Sequence, residues 1–437
     1  MALSASIVWE VRSTGVDTNG GGFKAGATGT DYSQQNTAQK SGVDLHMHAT
    51  TNTKCHPNAA GVAAADVGNL IYIASGAGWT PGYYEITVQD GADWTLDRSP
   101  SAAGNADLGT YAMGGAAGTP GMVAAGLVAG NTVFCKGDQT ITTATLCVSG
   151  GCVGTPGINC AFIGYATTRT SSNADTRPIF TINAGVSAVT IFNGSSTYAI
   201  NLSLDGGGNT TSKGSSGHSY RCHFANFTAG ASSSICIFCT ATTCSTTTVF
   251  GGTINLFCQA YANTAAGFAS SAYFCLASGN TGATTDGFLG GALLGCVAYG
   301  NGRHGFSGVS SNVCINCIAE ANVGSGFATL TGYSTVILLS CAAYNNGTNL
   351  GAQHAQVVNV GFVTITEGSP FVDAASGNFA LNATANRGSL LRNAGFPSLF
   401  PLGLTGNYPD IGVSRHQDPT GGGGLLIHPG MSGGLRG

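Results

Sequence analysis

Asparagine stands at residues 263, 280, 301, 322 and 346, each time five positions after a cysteine, at Cys258, Cys275, Cys296, Cys317 and Cys341. Successive cysteines are 17, 21, 21 and 24 residues apart, and four of the five repeats close on Gly-Phe, at Phe268, Phe288, Phe306 and Phe327. Self-similarity on this scale marks a stacked solenoid, in which each repeat buries its apolar side only against its neighbours. Each repeat carries one short apolar run, such as "TINLFCQAY", "ALLGCVAY" or "TVILLSCAAY", and then a polar turn. None is long enough for the paired helices of helical repeats, and no leucine ladder runs through them. What remains is an all-β fold, a right-handed parallel β-helix, with coils about 4.8 Å apart and its hand set by the preference of parallel crossovers. Stacking puts like positions above one another. Asn263, Asn280, Asn301, Asn322 and Asn346 are therefore expected to pass amide hydrogen bonds along a column at a corner, where asparagine tolerates left-handed backbone. Cys258, Cys275, Cys296, Cys317 and Cys341 are expected to form a second, apolar column inside.

Fainter strand segments extend the solenoid over residues 119–380, on the order of a dozen coils. Residues 1–118 hold "SIVWEVR", "NLIYIAS", "YYEITVQD" and "ADWTLDR" between turn residues, and all three tryptophans, Trp9, Trp79 and Trp94. They are expected to form a small N-terminal β domain for attachment or capping. Residues 381–419 are assigned to a C-terminal cap and 420–437 to a glycine-rich tail, floppy by itself.

Charged residues are only 8% of the chain and the net charge is −4, with 15 Lys and Arg scattered along it. Direct nucleic-acid binding, which needs a basic stripe, is not expected. The apolar stretches are too short and too glycine-rich to span a bilayer, and "MALSASIVWEV" lacks the charged, apolar and cleavage regions of a secretory signal. An odd count of 15 cysteines in so long a chain then reads as mostly free, buried thiols.

Chemistry is sparse in the solenoid. A glycosidase needs two opposed carboxylates, and a lyase on this fold needs a cation cluster with an Arg or Lys base. One grouping stands out: Tyr299 and Glu320 share a phase in adjacent coils, and Arg303 and His304 follow on the next turn. These four are a carbohydrate-binding candidate, without the second carboxylate that would make them catalytic. His46 and His48, alternate residues of one strand, with Cys55 and His56 downstream, lack the ligand spacing of zinc modules and are assigned to ordinary surface. The pair Cys314 and Cys317 has no partner pair and is expected to point to opposite faces. No metal, cofactor or catalytic residue is assigned.

The coil motif resembles right-handed parallel β-helix proteins, the group of pectate-lyase-like enzymes and phage tailspikes. The ends, "VWEVRSTGVDTNGGGF" (8–23) with "GTDYSQQN" (29–36) and "NYPDIGVSRHQDP" (407–419), resemble those of β-helix proteins encoded in phage and environmental bacterial genomes. That resemblance implies a structural virion protein, made in the host cytoplasm, used as a spike, fibre or capsid-decorating element. Its expected partners are other virion proteins and copies of itself, a trimer being favoured, with host-surface glycans as a further contact. A tailspike-like polysaccharide depolymerase is the alternative, and a bacterial surface adhesin the second.

Overall fold

The computed structural model describes residues 3–392 except 49, 102–106, 144–158, 170–176, 187–189, 193–196, 210–212, 216, 229–233, 246–247, 330–334 and 352–355, together with residues 394, 395 and 412. The tail 420–437, and all of 407–419 but Gly412, lie outside them. The fold is a parallel β-helix joined to a small antiparallel barrel, and the chain divides into two compact units, residues 1–209 with 215–218, and 210–214 with 219–437.

In the first unit, strands 40–47, 54–57, 93–96, 82–90, 70–75 and 109–113 close into a barrel in that order. Alternation puts Leu45, Cys55, Ile71, Ile73, Ile86, Trp94 and Met113 inside it, each fully buried. The opening strand Ile7–Arg12 lies outside this barrel, although composition groups it with the N-terminal domain. It runs parallel to Thr132–Lys136, which pairs in turn with Cys160–Gly164 and that with Thr197–Ile200. A buried charge fastens it there. Glu10, 0% exposed, accepts from Arg12 Nε at 2.7 Å, from Arg169 Nε at 2.9 Å and from the Tyr165 hydroxyl. Arg169 continues to Asp31 and to Ser33 Oγ, both at 2.9 Å. Two guanidiniums on one carboxylate meet the condition under which a charge can stay buried.

The second unit consists of coils with up to three short strands each. One face stacks 223–225, 240–242, 259–261, 276–278, 297–299, 318–320, 342–344 and 363–364, all parallel. Another stacks the segments that begin at Thr248, Ala266, Phe288, Phe306, Ser325 and Thr348. The third includes 235–237, 254–256 and 271–273, and from Phe288 onward it merges with the second into long strands, Phe288–Leu294 and Phe306–Ile315.

Inside, the columns are explicit. Phe250, Phe268, Phe288, Phe306 and Phe327 stack face over face with centroids 5.0, 4.9, 4.9 and 4.8 Å apart, which is the coil spacing itself. Asn263 Nδ2 donates to Asn280 Oδ1 at 2.9 Å, Asn280 to Asn301 at 2.8 Å, Asn301 to Asn322 at 2.8 Å and Asn322 to Asn346 at 2.8 Å. Each Nδ2 spends its other hydrogen on an alanine carbonyl of the preceding coil, at Ala241, Ala260, Ala277, Ala298 and Ala319. The left-handed corner residue is the one before each asparagine, not the asparagine: Ala262, Gly279, Gly300, Ala321 and Asn345 have φ of 52°, 59°, 61°, 56° and 50°. Gly279 and Gly300 take this conformation freely, whereas an alanine there costs about 1 kcal/mol; the ladder behind the corner offsets that cost.

Cys258, Cys275, Cys296, Cys317 and Cys341 are all free and fully buried. Cys275 Sγ accepts from the Cys258 N–H at 3.3 Å, and other thiols donate to carbonyls of the neighbouring coil, as Cys296 does to Ala272 at 3.2 Å. Burial pushes the Cys258, Cys296 and Cys341 thiols well above the usual range, so at neutral pH they are protonated and unreactive. One expectation needs correction: Cys314 and Cys317 both point inward, because Asn316 between them turns the chain at φ 55°. The thiols are mostly free and buried as expected, twelve of them among the described residues, with Cys160 disulfide-bonded.

Candidate functional site

Tyr299 and Glu320 are direct neighbours in adjacent coils of the first face, and Glu320 pairs onward with Tyr344. All three side chains leave the coil on its outer side, since the alternate residues Ala298, Ala319 and Ala343 are the fully buried ones. The surface they reach is covered. The hairpin Phe371–Asp373 and Asn378–Leu381 lies over it, packing Phe371, Phe379 and Leu381 against Val297 and Ile318 in one apolar cluster. The Tyr299 ring meets Phe379 edge-on at 5.5 Å, and Glu320, 4% exposed, accepts from the Ser369 hydroxyl at 3.1 Å. Burial pushes the Glu320 carboxyl up to about 7, against the pull of that hydroxyl.

This carboxyl ties stability to pH. The folded chain keeps the Glu320 proton up to about 7, whereas an unfolded chain releases it near the ordinary 4.5. Within that window the folded state binds more protons, so stability falls as pH rises through it and levels off above. The loss is at most about 3 kcal/mol, less where solvent at the hairpin's rim screens the charge. Urea unfolding of the natural chain and Glu320→Gln on either side of the window checks this: the decline should flatten in the variant, and an equal decline in both would refute the assignment.

Arg303 and His304 lie past the corner at Gly300, beside the second face. Arg303 Nε donates to Asp286 Oδ1 at 2.7 Å and its Nη2 to Oδ2. Asp286 is 0% exposed and also accepts from the His304 N–H at 3.1 Å and from Ser307 Oγ at 2.5 Å. His304 Nδ1 accepts from the Ser325 N–H at 2.9 Å, which requires an unprotonated Nδ1, and burial lowers its pKa. Asp286, His304 and Ser325 each stand two residues before a column phenylalanine, so a carboxylate, an imidazole and a serine share one column. They are not wired as a nucleophilic triad. In a triad the imidazole bridges carboxylate and hydroxyl, whereas here Asp286 takes the His304 backbone N–H and the ring takes the Ser325 backbone N–H.

The four candidate residues thus separate into two pairs, one under the hairpin and one bound to Asp286. Sequence reasoning missed Asp286; its position two before Phe288, matching His304 before Phe306, was the available signal.

In the barrel, His46 faces His56 across paired strands with ring centroids 5.8 Å apart. His56 Nδ1 lies 3.0 Å from Asp93 Oδ1 and His46 Nδ1 contacts Asp107, while Cys55 turns into the barrel core. Among the described residues no group of three or more His, Cys, Asp or Glu is arranged to hold a metal ion.

No family model matches the chain, and no curated protein matches it. Among solved structures, pectate lyase Pel9A is similar at 15% identity over 69% of this chain and 92% of that one, with a TM-score of 0.36. A rhamnogalacturonan lyase is similar at 17% identity over 52% of this chain and 64% of that one, with a TM-score of 0.25. Nothing about activity transfers at this distance.

Proposed function

We propose that this chain is a non-enzymatic structural protein whose β-helix acts as a stiff, neutral spacer within a larger assembly. The observation that carries this reading is the state of the buried acids Asp286 and Glu320. Asp286 is consumed by Arg303, His304 and Ser307, Glu320 by Ser369 beneath the hairpin, and the two do not face each other across a cleft where a sugar ring could sit. The end segments support the finer assignment to a spike, fibre or decorating element of a phage-like particle, with copies of itself, a trimer first, and other virion proteins as partners.

Glu320 favours a second reading, a polysaccharide depolymerase. A carboxyl that holds its proton to about 7, flanked by Tyr299 and Tyr344, has the property wanted of a general acid. Incubating the purified protein with bacterial capsular and cell-wall polysaccharides and following product size separates the two. The structural reading expects no shortening; shortening by the natural chain that is lost in Arg303→Ala with Glu320→Gln would establish the depolymerase instead.

A further inference from the structure

The outward positions of the first face change character along the stack. Thr240 and Gln259 are polar and half-buried, whereas Leu276, Val297 and Ile318, in register with them in the following coils, are apolar and buried. What buries these three is the segment 366–394, through Phe371, Phe379 and Leu381. Its strands Phe371–Asp373 and Asn378–Leu381 form a sheet of two, outside those of the coils. The Ile365 N–H donates to the Ala343 carbonyl at 2.9 Å, and beyond it no backbone bond joins 366–394 to the coils among the described residues. Gly368 follows at φ 149°, a conformation open to glycine and suited to a hinge. Among those residues, one side-chain hydrogen bond crosses to the coils, from the Ser369 hydroxyl to Glu320. The rest of the hold is apolar.

That single polar contact sits on an ionisable group. Tyr299 and Tyr344 flank Glu320 on the coils. From the covering segment, Glu367, held by Asn386 at 2.8 Å, and Asp373, which acts on Tyr299, add only negative charge. Arg387 lies against Gly368 and Arg392 donates to the Leu381 carbonyl at 2.8 Å; neither pairs with Glu320. Once ionised beneath the hairpin, the carboxyl is therefore a buried charge without a cation, and meeting water relieves it. The closed form keeps the proton to about 7, whereas a carboxyl in water releases it near 4.5. Between those values the closed form binds more protons than the open one, so opening gains as pH rises and levels off above.

We propose that the hairpin is a pH-gated strap: latched through Glu320 and Ser369 below neutrality, it swings out above it and uncovers a strip of Leu276, Val297 and Ile318 beside the Tyr299 and Tyr344 rings. The device is independent of the structural role proposed above. Hydrogen exchange of the full chain is followed on both sides of the window, and the opening of amides 371–373 and 378–381 is divided by that of 240–242 and 259–261 in the same sample, so that the pH dependence of chemical exchange cancels. The ratio should rise by up to about tenfold per pH unit within the window, about tenfold or more in total, and then level off. Glu320→Gln keeps an acceptor for Ser369 with nothing to titrate, and its ratio should stay flat. Ser369→Ala removes the donor alone, so its ratio should be higher at every pH with the rise retained. A ratio that does not change with pH in the natural chain overturns the proposal. So does an equal rise in Glu320→Gln, or coil amides that open together with the hairpin.

Discussion

Asn301→Leu, close in size to the residue it replaces, is expected to destabilise the second unit by about 3–4 kcal/mol. Three hydrogen bonds vanish together: Asn280 Nδ2 to Asn301 Oδ1, and Asn301 Nδ2 to Asn322 Oδ1 and to Ala277 O. Each is worth about 1 kcal/mol when made, and its partners remain buried beside an apolar side chain that cannot answer them. The neighbouring left-handed corners, Ala262 and Ala321, lean on the same ladder, so the damage should spread to adjacent coils. Hydrogen exchange reports this directly. Amides of residues 276–278 and 318–320 should lose protection together with those of 297–299, and protection confined to its natural level in the flanking coils would show that the ladder contributes little.

Glu10→Ala is expected to cost about 3–5 kcal/mol in the first unit, the range for removing one partner of a buried ionic group. The variant takes the shared acceptor from Arg12, Arg169 and the Tyr165 hydroxyl, leaving, among the described residues, Arg169 only Asp31 and Ser33 and Arg12 only the Tyr165 hydroxyl. Glu10→Gln, which keeps an acceptor oxygen, should cost less. The strand Ile7–Arg12 should open before the rest, so exchange at its amides and at Thr132–Lys136 is the reading to take alongside the denaturation midpoint. Equal stability of Glu10→Ala and the natural chain would mean that backbone pairing alone holds the strand.

What the sequence made legible was whatever repeats. An asparagine five residues after each cysteine, and a Gly-Phe after that, carry the coil phase openly because every coil meets the same neighbours above and below. The same logic placed Tyr299 beside Glu320 correctly. It could not show that Phe371, Phe379 and Ser369 return from some fifty residues downstream to cover them, because a hairpin used once leaves no period. Nor could it show Arg169 reaching Glu10, a single contact between distant stretches. The misreading of Cys314 and Cys317 has a more local cause: two-residue alternation holds only while the strand runs straight, and Asn316 turns the corner.

The columns have a further consequence for how such a chain can change over generations. Because Cys296 and Cys317 stand at the same point of successive coils, excising the stretch from one to the other would set Gly295 directly before Cys317 and leave thiol, amide and ring columns unbroken, only shorter. Duplication would lengthen them in the same way. The stack is thus adjustable in steps of one coil, and coils of 17, 21 and 24 residues that hold the same columns show that the turns between the strands absorb smaller differences in length.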